Sequence, residues 1–149
     1  MVHWKHSYKF GKEQELKIHP IIRDFFKSDI KHSQNQYDKY DFYDETTNYE
    51  LKSRTNPYSK YPTTMITMNK CCRCDEGKEL ILLFNFTDGL YFVKFDDEQF
   101  KKYPTQMFSR LNETHDEKEH IYIPIPDLTL IQKWDNPPPP PALSKSGGF

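Results

Sequence analysis

The stretch from Asp41 to Arg54, DFYDETTNYELKSR, constrains the fold more than any other part of the chain. Two runs rich in aromatics and alternating in polarity, Tyr40 to Asp44 and Thr47 to Ser53, flank a polar turn at Glu45 and Thr46, the pattern of a β-hairpin. With a turn of two or four residues centred there, Asp44 faces Thr47, Tyr43 faces Asn48 and Asp41 falls opposite Glu50. Side chains directly opposed in this way have Cβ atoms about 4.5–5.5 Å apart on one side of the sheet. Lys52, two residues past Glu50, shares that side because a strand repeats every two residues. Phe42, Tyr49 and Leu51 point the other way and supply a core face. A three-residue turn would shift the register and break the set.

Two opposed carboxylates repel unless something positive lies between them. Their hard oxygens suit Mg²⁺ or Mn²⁺, ions that commonly take one or two carboxylates and keep several waters. Such an ion polarises a phosphate and lowers the pKa of a bound water. Lys52 could orient or help deprotonate that water, or offset charge developing on the phosphate. The plain alternative is an exposed hairpin whose acids and lysine form cross-strand ion pairs.

Asp41, then Glu50 and Lys52 in the strand YELKSR, resemble the motif of the PD-(D/E)xK nuclease superfamily, which includes restriction-endonuclease-like and resolvase-like enzymes. The preceding segment GKEQELKIHPIIRDFF, with its acid, and the run YPTTMITMNK before the apolar strand ELILLFNF are similar to the same pattern, over roughly residues 10 to 130. Small Lys-, Asn- and Tyr-rich versions in large DNA viruses are similar in flavour. Where the motif has Pro-Asp, this chain has KYD. The resemblance implies an α/β (α+β) fold: a central mixed β-sheet of about four to five strands flanked by helices. It implies Asp41 and Glu50 as metal ligands with the Leu51 backbone carbonyl as a third, Lys52 as catalytic residue, and Mg²⁺ (or Mn²⁺) as cofactor. Duplex or branched DNA would be the substrate, and a homodimer the assembly common among relatives. The first helix of such enzymes often adds an acid to the site, which here would be Glu15.

Glu15 also stands out by position. It lies three and seven residues before Ile18 and Ile22, on the apolar seam formed with Ile21, Phe25 and Phe26, whereas Glu13 is rotated away. A carboxylate on a seam is costly unless paired or metal-linked; the alternative is an acid favoured near a helix start. Gly11 precedes this stretch, and Pro20 predicts a kink or a restart near His19, since a proline inside a continuous helix costs about 3 kcal/mol.

Past the Glu-x-Lys strand, SRTNPYSKYPT is polar and proline-containing. Arg54, Tyr58 and Lys60 there suit phosphate contact and base stacking, against a merely solvated loop. Thr63 to Lys70 reads as a short helix with Thr64 as cap. Glu79–Phe86 and Leu90–Phe95 read as strands joined by the turn TDG, and Asp96–Tyr103 as a short exposed helix or loop. Asn112–His120 is a charged surface turn whose His115 and His120 are more simply solvated than metal-bound. IYIPIP, from Ile121 to Pro126, alternates cleanly, but its prolines confine it to an edge or an irregular end; Leu128–Ile131 packs on the core.

At 149 residues the chain has the usual size of one domain. We read residues 1–135 as that domain and 136–149, NPPPPPALSKSGGF, as a proline-rich tail that serves as spacer or as ligand for a protein partner. Apolar residues make up only 36%, but 11 Phe, 10 Tyr and 2 Trp add large buried areas. A formal net charge of −1 excludes global attraction to nucleic acid, so any such contact is local. The first residues lack an apolar signal core, and no run approaches the roughly 20 apolar residues of a membrane helix. Cys71, Cys72 and Cys74 make a poor disulfide framework and lack a clear fourth zinc ligand, which suggests a reducing, intracellular setting, in a host cytoplasm or nucleus or in a virion. Two functions are consistent with these features. One is a metal-dependent DNA endonuclease; the other is a catalytically silent protein of the same fold that binds protein or nucleic acid, for example in a viral particle.

Overall fold

The computed structural model describes residues 2–34, 39–67, 77–108 and 118–135. Helix α1 (Val2–Phe26) is followed by strands β1 (Lys31–His32), β2 (Phe42–Tyr43), β3 (Thr47–Ser53), β4 (Thr63–Thr67), β5 (Glu79–Phe86) and β6 (Gly89–Lys94). The short helix α2 (Asp97–Phe100), β7 (Thr105–Phe108), β8 (Lys118–Pro124), a 3₁₀ turn (Ile125–Asp127) and β9 (Thr129–Lys133) complete the order.

A mixed six-stranded sheet runs β1-β2-β3-β5-β6-β9, and a three-stranded sheet runs β4-β8-β7. The β3–β5 pair is parallel, with Glu50 beside Leu82 and Lys52 beside Phe84, while the other pairs are antiparallel. Both strands are buried on two faces, so they read as near-continuous apolar or buried runs. On one face Ile18 and Ile22 of α1 pack with Phe42, Tyr49, Leu51, Ile81, Leu83 and Leu90. On the other, Leu82, Phe84, Phe86 and Val93 pack with Ile66, Ile121 and Ile123 of the smaller sheet. The main sheet therefore has a helix on one side and a second sheet, not a helix, on the other.

The hairpin forms in the register that the sequence predicts. Phe42 pairs with Tyr49 and Tyr43 with Asn48, and Asp44 donates its N–H to the Thr47 carbonyl at 2.8 Å, closing a two-residue turn. The Asp44 carboxylate organises this end. It accepts from the amides of Thr46 (2.9 Å) and Thr47 (2.8 Å), from Tyr49 Oη (2.9 Å) and from Ser28 Oγ (2.7 Å). Burial alone would raise its pKa, but these bonds stabilise the anion and hold it below the usual value. Ser28 belongs to the end of α1: Lys27 turns left-handed (φ 52°) and the Ser28 amide reaches back to the Arg23 carbonyl, a Schellman-type stop. The hairpin turn and the helix C-terminus are thus one hydrogen-bonded unit.

Several expectations are corrected. Helix α1 begins at Val2, well before Gly11, and runs unbroken through Pro20. Pro20 lies on the exposed side, and the Leu16 carbonyl, four residues back and deprived of its helical partner, belongs to a residue 61% exposed, so water can satisfy it. Thr63–Thr67 is strand β4 rather than the start of a helix. Its β-branched alternation buries Thr64 and Ile66, and it pairs with β8. The prolines of IYIPIP fall at an irregular end, one of the two placements expected: β8 itself is the centre of its sheet, with Pro124 at its last rung opposite Thr63 and Pro126 in the 3₁₀ turn, both clear of the inner ladder. The hairpin β5–β6 and the short helix after Asp96 form as read, with Asp96 capping through its side chain. The three cysteines, His115 and the proline-rich tail lie outside the described residues. Among the described residues no helix is long and apolar enough to cross a membrane.

Candidate active site

β2 pairs with only the first half of β3. Beyond Tyr49 no strand of the described residues covers that side of β3, and the chain leaves the ladder at Asp41. Asp41 stays in place through its backbone, donating to the Tyr49 carbonyl (3.1 Å) and accepting from the Ser33 amide (2.9 Å). Its side chain replaces the missing strand: Oδ2 accepts the Leu51 amide at 2.8 Å. In a strand the N–H and C=O of one residue point to the same side, so the Leu51 carbonyl also faces this opening.

Glu50 and Lys52 lie on the face opposite Tyr49 and Leu51. Their side chains pair at 3.5 Å, with Glu50 almost wholly buried and Lys52 about one-third exposed. The Asp41 carboxyl is pushed up to about 7, first by burial and then by repulsion from Glu50, with Glu15 adding to it; the Leu51 amide acts the other way. A carboxyl so unwilling to ionise is a place where added positive charge is strongly favoured. Among the described residues no three His, Cys, Asp or Glu side chains already converge as a metal cage. Asp41 leans on the Leu51 amide and Glu50 on Lys52, so both carboxylates would have to turn to share an ion.

Glu15 arrives from α1. It is buried, as its seam position predicts, while Glu13 is exposed. It is satisfied on two sides, by Lys12 Nζ at 3.4 Å and by His32 Nε2, which donates to Oε1 at 2.6 Å. His32 in turn packs against both His19 (5.9 Å between ring centres) and Phe42 (5.2 Å), which also touch each other (5.5 Å), and His19 donates its own Nε2–H to the Ile30 carbonyl at 2.7 Å. β1 pairs His32 with Phe42, one residue from Asp41. The fold therefore gathers Glu15, His32, Asp41, Glu50 and Lys52 at one opening. Sequence reasoning missed His32: DIKHSQ has no spacing that marks it, and only the two-rung β1–β2 pairing brings it to Glu15.

The residues read as nucleic-acid contacts lie further along. Arg54 is two residues past Lys52; its Nε–H donates to Thr64 Oγ1 at 3.2 Å, another N–H donates to the Met65 carbonyl, and the guanidinium lies over Phe84. Burial lowers its pKa. Tyr58 stacks on Tyr91 at 4.0 Å and donates its hydroxyl to the Ile125 carbonyl. Both are therefore tied into the fold, whereas Lys60 is exposed beside Tyr61.

No curated protein and no solved structure matches this chain. The model of the family described as "Phage putative PDDEXK endonuclease" matches residues 6–131, a span that holds Glu15, His32, Asp41, Glu50 and Lys52, and the chain belongs to that family.

Proposed function

We propose that this protein is a metal-dependent endonuclease that hydrolyses phosphodiester bonds of DNA at the Asp41–Glu50–Lys52 opening. The observation that carries this reading is the buried carboxylate pair, in which burial, and then repulsion from Glu50, push the Asp41 carboxyl up to about 7. The donor set fits Mg²⁺ or Mn²⁺: the Asp41 and Glu50 carboxylates and the Leu51 carbonyl are all hard oxygens, and no thiolate or imidazole competes among them. When bound, such an ion would polarise the phosphate and acidify a coordinated water.

The chain's own groups supply the rest. Lys52, anchored beside Glu50 with its ammonium partly exposed, can hold the attacking water against the phosphorus and offset negative charge as the bond to the leaving oxygen breaks. The products are a phosphomonoester and an alcohol. Glu15, fixed by His32 and Lys12, offers a further acceptor for the water's proton or for an ion's waters. Lys60 and Tyr61, exposed past the end of β3, suit contact with the flanking strand.

Purified protein incubated with single-stranded, duplex and branched DNA tests the proposal. Cleavage should require Mg²⁺ or Mn²⁺, stop with chelator, and vanish in Glu50→Ala and Lys52→Ala proteins that keep the wild-type circular dichroism. Calorimetric titration with Mn²⁺ should show saturable binding that Asp41→Asn abolishes. Absence of metal-dependent cutting on all three substrates sinks the enzyme reading and leaves a silent nuclease fold.

A further inference from the structure

A second cavity, of about 580 Å³, opens where β3 ends, between the main sheet and the smaller one. Arg54, Asn56, Tyr58, Tyr61, Phe86 and Tyr122 are among its lining residues, and no described lining residue is acidic. We infer that this cavity receives the base of an unpaired nucleotide adjacent to the phosphate being cut, so that the enzyme selects DNA with unpaired or extrudable bases. This rests on the nuclease reading above and adds a substrate class to it.

Position is the first argument. Glu50 and Lys52 in β3 and Arg54, which continues the pairing one residue past its end through its amide bond to the Asn85 carbonyl, alternate and so share one face, the face that packs toward the smaller sheet; Lys52 is paired in register with Phe84, and Arg54 lies over the same Phe84 ring. Residues two apart in a strand are separated by about 6.5–7 Å, a step comparable to that between successive phosphates of an extended nucleic-acid strand. A strand laid along β3 with one phosphate at Lys52 presents its next nucleotide to the wall built by Arg54.

Chemistry is the second. The walls are flat aromatic faces with amide and guanidinium donors, a combination that stacks on a base and hydrogen-bonds its edge. Two of the five Arg54 N–H donors are committed to Thr64 and Met65. The aromatic floor is held before any ligand arrives: Tyr58 is clamped by Tyr91, by its hydroxyl bond to Ile125 and by its amide bond to the Asp88 carboxylate at 2.9 Å. A base in a duplex offers only its groove edges, so a cavity of this shape admits a base only when it is out of the stack.

The test is binding and cutting by wild-type protein on three oligonucleotides carrying 2-aminopurine, placed in a single strand, in a one-nucleotide bulge or in a full duplex. In chelator, the unpaired placements should bind about tenfold more tightly than the duplex and change in fluorescence. Tyr61→Ala, at a side chain about one-third exposed, should lose both effects and Tyr61→Phe should keep them. Equal affinity for all three, or a fluorescence change indifferent to Tyr61→Ala, overturns the inference. So does a proline-rich peptide that saturates the protein and is not displaced by the oligonucleotide, since aromatic grooves also take such chains. Metal-dependent cutting with no base preference removes the base pocket and keeps the nuclease. Base-dependent fluorescence without cutting removes the nuclease and keeps the pocket.

Discussion

Asp41 Oδ2 accepts the Leu51 amide at 2.8 Å, and that bond does what a neighbouring strand does elsewhere in the sheet. Because β2 begins only at Phe42, one residue after Asp41, the opening beside β3 is lined by side-chain and backbone oxygens rather than by another ladder. The same bond holds Asp41 where burial and the neighbouring Glu50 disfavour its charge, so the bond offsets part of a repulsion that the site itself creates. Site and strain on the site therefore have one origin.

The stability of metal-free protein should depend on this pair. The folded Asp41 carboxyl titrates near 7, against about 3.9 in an unfolded chain. Below about pH 4 both states hold the proton and the group contributes nothing. As pH rises toward 7 the unfolded state ionises while the folded state resists, so stability falls by an amount on the order of a few kcal/mol and then levels off. Melting temperatures measured in chelator from pH 4.5 to 8 should decline for wild type. Asp41→Asn should flatten the decline and melt higher at pH 8. A wild-type profile as flat as that of Asp41→Asn would refute the account.

His32 should matter to activity far more than to folding. Its bond to Glu15 fixes a carboxylate at the opening, and groups that orient a metal site from behind typically contribute about 10–100-fold in metal affinity or activity. His32→Ala is expected to weaken Mn²⁺ activation within that range, measured as the metal concentration giving half-maximal cleavage, whereas His32→Gln, which can still donate to Glu15, should recover part of it. Equal effects of both substitutions, with a matching fall in melting temperature, would mean that the imidazole is packing and nothing more.

Much of the site was legible in the chain because it depends on local alternation. The Glu45–Thr46 turn is two residues long, so the polarity pattern of DFYDETTNYELKSR gave the pairing of Tyr43 with Asn48 and the side occupied by Glu50 and Lys52. The seam position of Glu15 followed from helical spacing alone. What escaped was decided by distant partners. Thr63–Thr67 becomes a strand only because β8, nearly sixty residues later, lies beside it. Pro20 interrupts no helix because its side of α1 faces water. His32 joins the site through a two-residue strand too short to leave a periodic trace.

Asp44 should prove the main stabiliser of the hairpin. Its carboxylate takes five bonds from four residues, Ser28, Thr46, Thr47 and Tyr49, and ties the turn to the end of α1. Asp44→Ala leaves those donors without their acceptor and is expected to cost about 2–3 kcal/mol in urea denaturation, in the upper range for a lost cap. Asp44→Asn, which keeps an oxygen acceptor, should cost less. The Tyr49 hydroxyl, whose pKa burial and Asp44 raise, should titrate at lower pH in Asp44→Ala, read from phenolate absorbance in wild type, Asp44→Ala and Asp44→Ala/Tyr49→Phe proteins. A cost under about 0.5 kcal/mol, the level of an ordinary surface substitution, would show that strand pairing alone sets the turn.

Asn85 links three elements through one buried amide. Its Nδ2 donates to Gln14 Oε1 at 2.8 Å on α1, and its Oδ1 accepts from Trp134 Nε1 at 3.0 Å just past β9. Gln14 precedes Glu15, so the amide also holds the helical turn that delivers the seam carboxylate. Asn85→Leu, similar in volume but unable to pair, would leave the half-buried Gln14 Oε1 without its donor and deprive the indole of one partner, though Trp134 Nε1 also reaches the Phe86 carbonyl at 3.2 Å. The expected cost is about 1–3 kcal/mol by denaturation. Cleavage by the folded fraction should fall as well, because α1 loses its hold beside the opening. Unchanged specific activity at lowered stability would confine Asn85 to packing and leave His32 as the sole anchor tested for Glu15.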